Sequence, residues 1–213
     1  MTVGIDFSIK SPAVTLLTNS GEWRFYTFAR NSVAKEDFFL TLKDNGVNVI
    51  ALPDEPALKK TALLTERERS SITDALMQTR SVSKMLSEYS FSEEDRIAIE
   101  GFSFGSSGNR LAQISGYQWL LRSFLLEDCE IGVEQLWFFS PMTIKATAGK
   151  GNFKKEQMIQ AFIDSDCDSE FATSLRNHPA EFQTKRGAWL KPVDDIVDSY
   201  WIAKTLEKTL IKP

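Results

Sequence analysis

The chain has 213 residues, 42% hydrophobic and 25% charged, a balance that excludes both a disordered segment and a fibrous protein. Two cysteines, Cys129 and Cys167, and one histidine, His178, exclude a disulfide framework, a CxxC zinc site and His-rich metal chemistry. A net charge of −4 with a pI near 5.2 speaks mildly against nucleic acid as a partner, unless basic residues cluster locally.

At this length a single domain over residues 1–213 is expected, able to bury roughly 70% of the surface its unfolded chain exposes. No window approaches the roughly 18 uninterrupted apolar residues of a membrane span, and MTVGIDFS has no signal-peptide pattern, so a cytoplasmic protein is expected.

In chain order, VGIDFS, AVTLLT and EWRFYTFA are rich in β-branched and aromatic residues and are joined through a turn at Asn19-Ser20-Gly21. They predict a three-stranded antiparallel meander. VNVIAL predicts a further strand, stopped by Pro53 and Pro56. From about Thr65 to Tyr89, apolar residues recur by three and four at Ile72, Ala75, Val82 and Leu86, the period of an amphipathic helix. RIAIEGF has the short apolar run of a buried central strand. After the FGSSGN loop, Leu111, Ile114, Tyr117, Leu121 and Phe124 mark another helix, and IGVEQLWFF reads as a strand ending at Ser140-Pro141. A basic, glycine-bearing stretch, IKATAGKGNFKKEQ, reads as a loop entering helical material near Phe153. Residues Asp164 to Lys191 are polar and without pattern, and a closing helix is opened by Pro192. The whole is an α/β domain whose mixed sheet starts as a meander and continues with parallel strands joined through helices.

Two acids stand where apolar strand residues belong: Asp6 in GIDFS and Glu100 in AIEGF, each at the C-terminal end of its strand. An unpaired carboxylate in a buried strand costs several kcal/mol, and in open α/β sheets that end is where sites are built. The closing helix, VDDIVDSYWIA, carries Asp195 and Asp198 three apart on one side, beside an apolar face; Asp194 and Asp198, four apart, are the alternative pair. Singly, each acid is better explained as a cap or turn residue than as a metal ligand. Together they ask for a hard divalent cation with oxygen ligands, Mg²⁺ before Ca²⁺, and two such ions support in-line phosphodiester cleavage.

GIDFS, AIEGF with its following helix, the glycine-and-lysine stretch and DDIVDSYWIA resemble the RuvC Holliday-junction resolvases, which have an RNase H-like fold. The resemblance implies that Asp6, Glu100, Asp195 and Asp198 are both catalytic and metal-binding, with two Mg²⁺ ions per site and Mn²⁺ able to substitute. It implies paired nicking of branched DNA by a homodimer, in a bacterial cell or phage-infected host. RNA–DNA hybrid cleavage, flap cleavage and a non-catalytic DNA-binding role are the alternatives, which the acids alone do not separate.

Between Pro141 and Gln160, four lysines, Lys145, Lys150, Lys154 and Lys155, face one acid, Glu156. This reverses the sign of the chain as a whole, and with Gly149 and Gly151 it predicts phosphate contact. Arg110, Phe102 and Phe104 are expected to touch DNA beyond the acids, with Lys185, Arg186 and Lys191 extending the surface. The Ile72 to Tyr89 stripe, or the helix bearing Trp119, Leu120 and Phe124, is expected to supply a two-fold contact between subunits.

Overall fold

The computed structural model describes residues 1–54, 58–59, 61–101 and 109–211, with the side chains of residues 109 and 110 left out. Phe102 and Phe104, and the side chain of Arg110, therefore lie outside the described residues.

Six strands form one mixed sheet: β1 (Thr2–Asp6), β2 (Ala13–Leu17), β3 (Trp23–Arg30), β4 (Val47–Leu52), β5 (Arg96–Glu100) and β6 (Leu136–Phe139), in the spatial order β4-β3-β2-β1-β5-β6. Among the first three, β2 runs antiparallel to both β1 and β3, while β4, β5 and β6 each lie parallel to a neighbour. This is the meander followed by parallel strands that the RNase H-like expectation requires.

Side chains alternate between the two faces of β1 and β5, as a strand's period of two dictates. Val3, Ile5, Ile97 and Ile99 enter one apolar cluster, with α2 (Leu64–Ser87) and α3 (Asn109–Asp128) above them. Gly4 and Ala98 point to the other face, where α7 (Val193–Ile211) lies across β1, β2 and β5. That face is deepened by α4 (Pro141–Ala148), α5 (Lys155–Ile163) and α6 (Glu170–Asn177). Because α7 is covered by the sheet on one side and by α4 and α5 on the other, it is buried almost all round from Val193 to Leu206, polar residues such as Asp194, Asp195, Ser199 and Thr205 included. Tyr200 anchors it, its ring centroid 4.7 Å from that of Phe162 and 4.8 Å from that of Trp23.

Three expectations are corrected and one element is added. The strand expected over Ile131 to Phe139 is confined to β6, because the Gly132 N–H donates to the Gln135 side chain at 2.9 Å and Val133–Gln135 winds into a 3₁₀ turn. The basic stretch is not one loop: Ser140 caps Thr143 at 3.2 Å, Pro141 opens α4, and α5 begins at Lys155 rather than near Phe153. The polar 164–191 region contains α6, capped by Ser169, whose Phe171, Ala172 and Leu175 are buried. A short helix α1 (Asp37–Asp44), unforeseen, leads into β4, burying only Phe39 and Leu42.

Most of the expected α2 stripe covers the sheet, with Ala75, Val82 and Leu86 buried, and Phe124 of α3 is buried too. Leu64, Ile72 and Leu76 of α2 and Trp119 of α3 remain exposed. Among the described residues no helix is long and apolar enough to cross a membrane.

Candidate functional site

Parallel pairing in register, Ile5 with Ile99, makes Asp6 and Glu100 the next residues on adjacent strands. By alternation both leave the sheet on the α7 side, at the C-terminal edge of β1 and β5. The helix reaches them because β1 carries glycine at the crossing. A Cβ on Gly4 would lie 2.2 Å from the Ser199 carbonyl oxygen and 2.4 Å from the Ala203 amide nitrogen. A buried hydrogen bond of 2.7 Å between Thr15 and Ser199 fixes the position of α7 along β2. At that depth Asp195 and Asp198, one turn apart, face the strand-end acids.

The electrostatics report the crowding. Burial first, and then the charges of Asp195, Asp198 and Glu100, push the Asp6 carboxyl well above the usual carboxylate range. Burial and Glu100 push Asp198 up to about 7, against the pull of Lys155. Burial raises Glu100, opposed by Lys145 and Lys155, and burial with Asp194 raises Asp195, opposed by Lys191 and Ser11. Asp194 behaves differently: Lys155 and Lys191 outweigh its burial and hold it below the usual range. It forms ion pairs with both lysines, that to Lys191 at 2.9 Å.

The four candidate acids thus gather at one end of the sheet, with Asp194 turned to the lysines. They are not drawn into a closed cage: among the described residues, no group of three or more His, Cys, Asp or Glu side chains is assembled tightly enough to hold a metal ion. The geometry of Asp195 shows why. Its Oδ1 accepts from Lys191 at 2.5 Å and its Oδ2 accepts from the Ser11 hydroxyl. The donor set nonetheless suits a hard cation, being all carboxylate oxygen. A small cavity of about 30 Å³ also separates Glu100 from Asp198, with Lys145 and Ile144 on its wall, room for one water-sized occupant.

On the other side, Asp6 and Glu100 open into a cleft of about 1100 Å³, whose wall includes Ser11, Lys191, Gln118 and, farther out, Val33 and Phe38. Gln118 of α3 donates to the Glu100 backbone oxygen at 3.3 Å, steadying the strand end. Lys150 and Lys154 are exposed on the α4–α5 connection, whereas Lys155 is committed to Asp194. Gly4, Ser11 and Gln118 escaped the sequence reading. Of these only Gly4, a glycine inside an apolar strand, carries a sequence signal for close backbone approach.

The raised carboxyls have a consequence for stability. Folded Asp198 keeps its proton to about pH 7, while an unfolded Asp loses it near 3.9. Between those values the folded state binds more protons than the unfolded one, so this group's contribution falls as pH rises from about 4 to 7 and is flat above. Asp198→Asn is therefore expected to match wild type near pH 4 and to exceed it at pH 8 by up to about 4 kcal/mol, as read from melting curves across pH. A variant no more stable than wild type at pH 8 would contradict the crowding.

No protein-family model and no curated protein sequence matches the chain. Among solved structures, Thermus thermophilus RuvC is similar over 95% of this chain and 90% of its own, at 13% identity and a TM-score of 0.47. T. thermophilus RuvC in complex with Holliday junction substrate covers 96% and 92%, at 14% identity and a TM-score of 0.46. The yeast mitochondrial Holliday junction resolvase Ydc2 covers 95% of this chain and 75% of its own, at 15% identity and a TM-score of 0.49. At such identities the likeness concerns the course of the chain.

Proposed function

We propose that this chain is a divalent-metal-dependent endonuclease that resolves four-way DNA junctions by paired nicks. The observation that carries the reading is the convergence of Asp6 and Glu100, from adjacent parallel strands, with Asp195 and Asp198, from the helix crossing them, in a centre whose carboxyls are raised by burial first and then, for Asp6 and Asp198, by one another's charge. A purely structural domain gains nothing from that repulsion.

Asp6, Glu100, Asp195 and Asp198 are the residues that would hold Mg²⁺, or Mn²⁺ in its place. Bound there, the metal would supply an activated water and a stabilised leaving oxygen for in-line cleavage. The chain's own part is to orient. Gly4 lets α7 approach, Gln118 steadies the end of β5, and the exposed Lys150 and Lys154 give a backbone phosphate its countercharge. Asp194 serves the lysines, which supports Asp195 as the ligand of the pair. The exposed apolar residues of α2, Leu64, Ile72 and Leu76, are offered as the two-fold contact that would set one centre at each of two opposed strands.

The test is incubation of the protein with labelled four-way junction, duplex, flap and RNA–DNA hybrid in Mg²⁺. Symmetrically nicked, ligatable duplexes from the junction alone are expected. Preferential cleavage of the hybrid or flap would reassign the substrate within the same chemistry, and no cleavage of any would leave a non-catalytic DNA-binding role. In the same assay, a Lys150→Ala, Lys154→Ala double variant should weaken binding of all DNAs alike and lower the salt slope by about two.

A further inference from the structure

Lys191 is the first residue before the α7 entry at Pro192, and it stands on the wall of the cleft with its side chain 58% exposed. Its ammonium reaches 2.5 Å from Asp195 Oδ1 and 2.9 Å from Asp194 Oδ2. The two acids are not equally dependent on it. Asp194 has a second cation, Lys155 from α5, whereas Lys191 is the cation paired with Asp195. With Ser11 on its other oxygen, Asp195 has one partner on each oxygen and keeps a second lone pair on each, so a hydrogen bond alone does not bar a metal. The hydroxyl is neutral and can stay as a hydrogen-bond donor to a ligating carboxylate; the ammonium and a divalent cation at the same oxygen repel. Lys191 is therefore the partner that a cation at Oδ1 displaces.

We propose that Lys191 is a tethered counter-ion of the acidic centre. It holds Asp195 in the metal-free protein, yields it to the incoming divalent cation, and, still tied to Asp194 at the cleft wall, then turns its ammonium toward a substrate phosphate. The inference rests on the acid-centre reading above and deepens it. Lys191 acts through Asp195 and is a positioning residue. Because one side chain serves the carboxylate in one state and the phosphate in the other, metal binding and DNA binding reinforce each other, and the coupling is reciprocal.

The experiment is calorimetric titration of the whole protein with Ca²⁺, without DNA and then with an uncleaved four-way junction. It compares wild type with Lys191→Met, Lys191→Arg, Lys145→Met and Asp6→Asn, each first checked by melting. Lys145 is the charge control: it lies beside Glu100 and Asp198 and forms no ion pair with Asp195 among the described contacts. Without DNA, Lys191→Met is expected to bind Ca²⁺ about tenfold more tightly, Lys145→Met less than about threefold, and Lys191→Arg about as wild type does. With junction present, the mutual tightening of metal and DNA seen in wild type should shrink in Lys191→Met and persist in Lys191→Arg. Equal tightening in the Lys191 and Lys145 variants, or looser Ca²⁺ binding in Lys191→Met, would overturn the counter-ion role while leaving the acid centre standing. Wild type that binds no divalent cation, or binding untouched by Asp6→Asn, would overturn both.

Discussion

Asp6→Asn and Glu100→Gln are each expected to reduce Mg²⁺-dependent junction cleavage by on the order of a thousandfold or more, with junction binding nearly unchanged. Each substitution removes one ligand charge from a strand end whose backbone is fixed by pairing on both sides: β1 between β2 and β5, and β5 between β1 and β6. The side chains keep their size, so the sheet has no reason to shift. The amide also relieves crowding, so the variants should melt no lower than wild type at pH 8. Asp194→Asn should behave in the opposite sense. It leaves cleavage within about tenfold but loosens the two lysines and lowers the melting temperature, because it deletes a partly buried, doubly paired carboxylate. Single-turnover cleavage and melting of the same preparations measure both halves. Full cleavage by Asp6→Asn would remove the carboxylate centre from the mechanism.

The second large effect is expected far from any charge. Gly4→Ala adds one methyl group, yet that carbon would meet backbone atoms of Ser199 and Ala203 at 2.2 and 2.4 Å, and backbone does not step aside as a side-chain tip does. The helix must lift from β1, undoing the Thr15–Ser199 hydrogen bond and the packing beneath Tyr200. A loss of more than about 3 kcal/mol is expected, about 10 °C in melting temperature for a chain of this size. Any protein that still folds should cleave far more slowly, because Asp195 and Asp198 rise with the helix. Gly116→Ala is the comparison: it lies within α3 with nothing within 4 Å of the added carbon, and should be neutral or stabilising by up to about 1 kcal/mol. Equal melting of the two variants would show that α7 does not depend on close approach at Gly4.

What was legible in the sequence follows a physical rule. Asp6 and Glu100 stood out because a charge inside an apolar strand is costly and therefore rare. The closing helix stood out through Pro192 and the spacing of Asp195 and Asp198, and β1 to β5 through dense β-branched and aromatic runs. Helix α4 was hidden because it buries little besides Ile144 and is followed by two glycines, so no apolar stripe announces it; its Ser140-Pro141 cap was visible but reads equally well as a strand stop. Helix α6 was hidden because it is only eight residues long: Phe171, Ala172 and Leu175 have helical spacing, but two turns within a polar stretch are too short a window for the period to stand out. The division of labour between Asp194 and Asp195 was beyond helix geometry, since it is decided by Lys155, which is 39 residues from Asp194 in the chain. Ser11 likewise meets Asp195 only because β2 turns back beside β1.

Half of the acidic centre rides on α7, the last helix of the fold, and that helix is also the common floor for β1, β2, β5, α4 and α5. During synthesis, therefore, the two strand-end carboxylates emerge and can pair long before their partners exist. A ribosome that stalls, or a message that is cut short anywhere before codon 195, yields a polypeptide with neither a complete acid set nor a complete core. Completion of the acid set and completion of the core are in this way one event, the docking of α7.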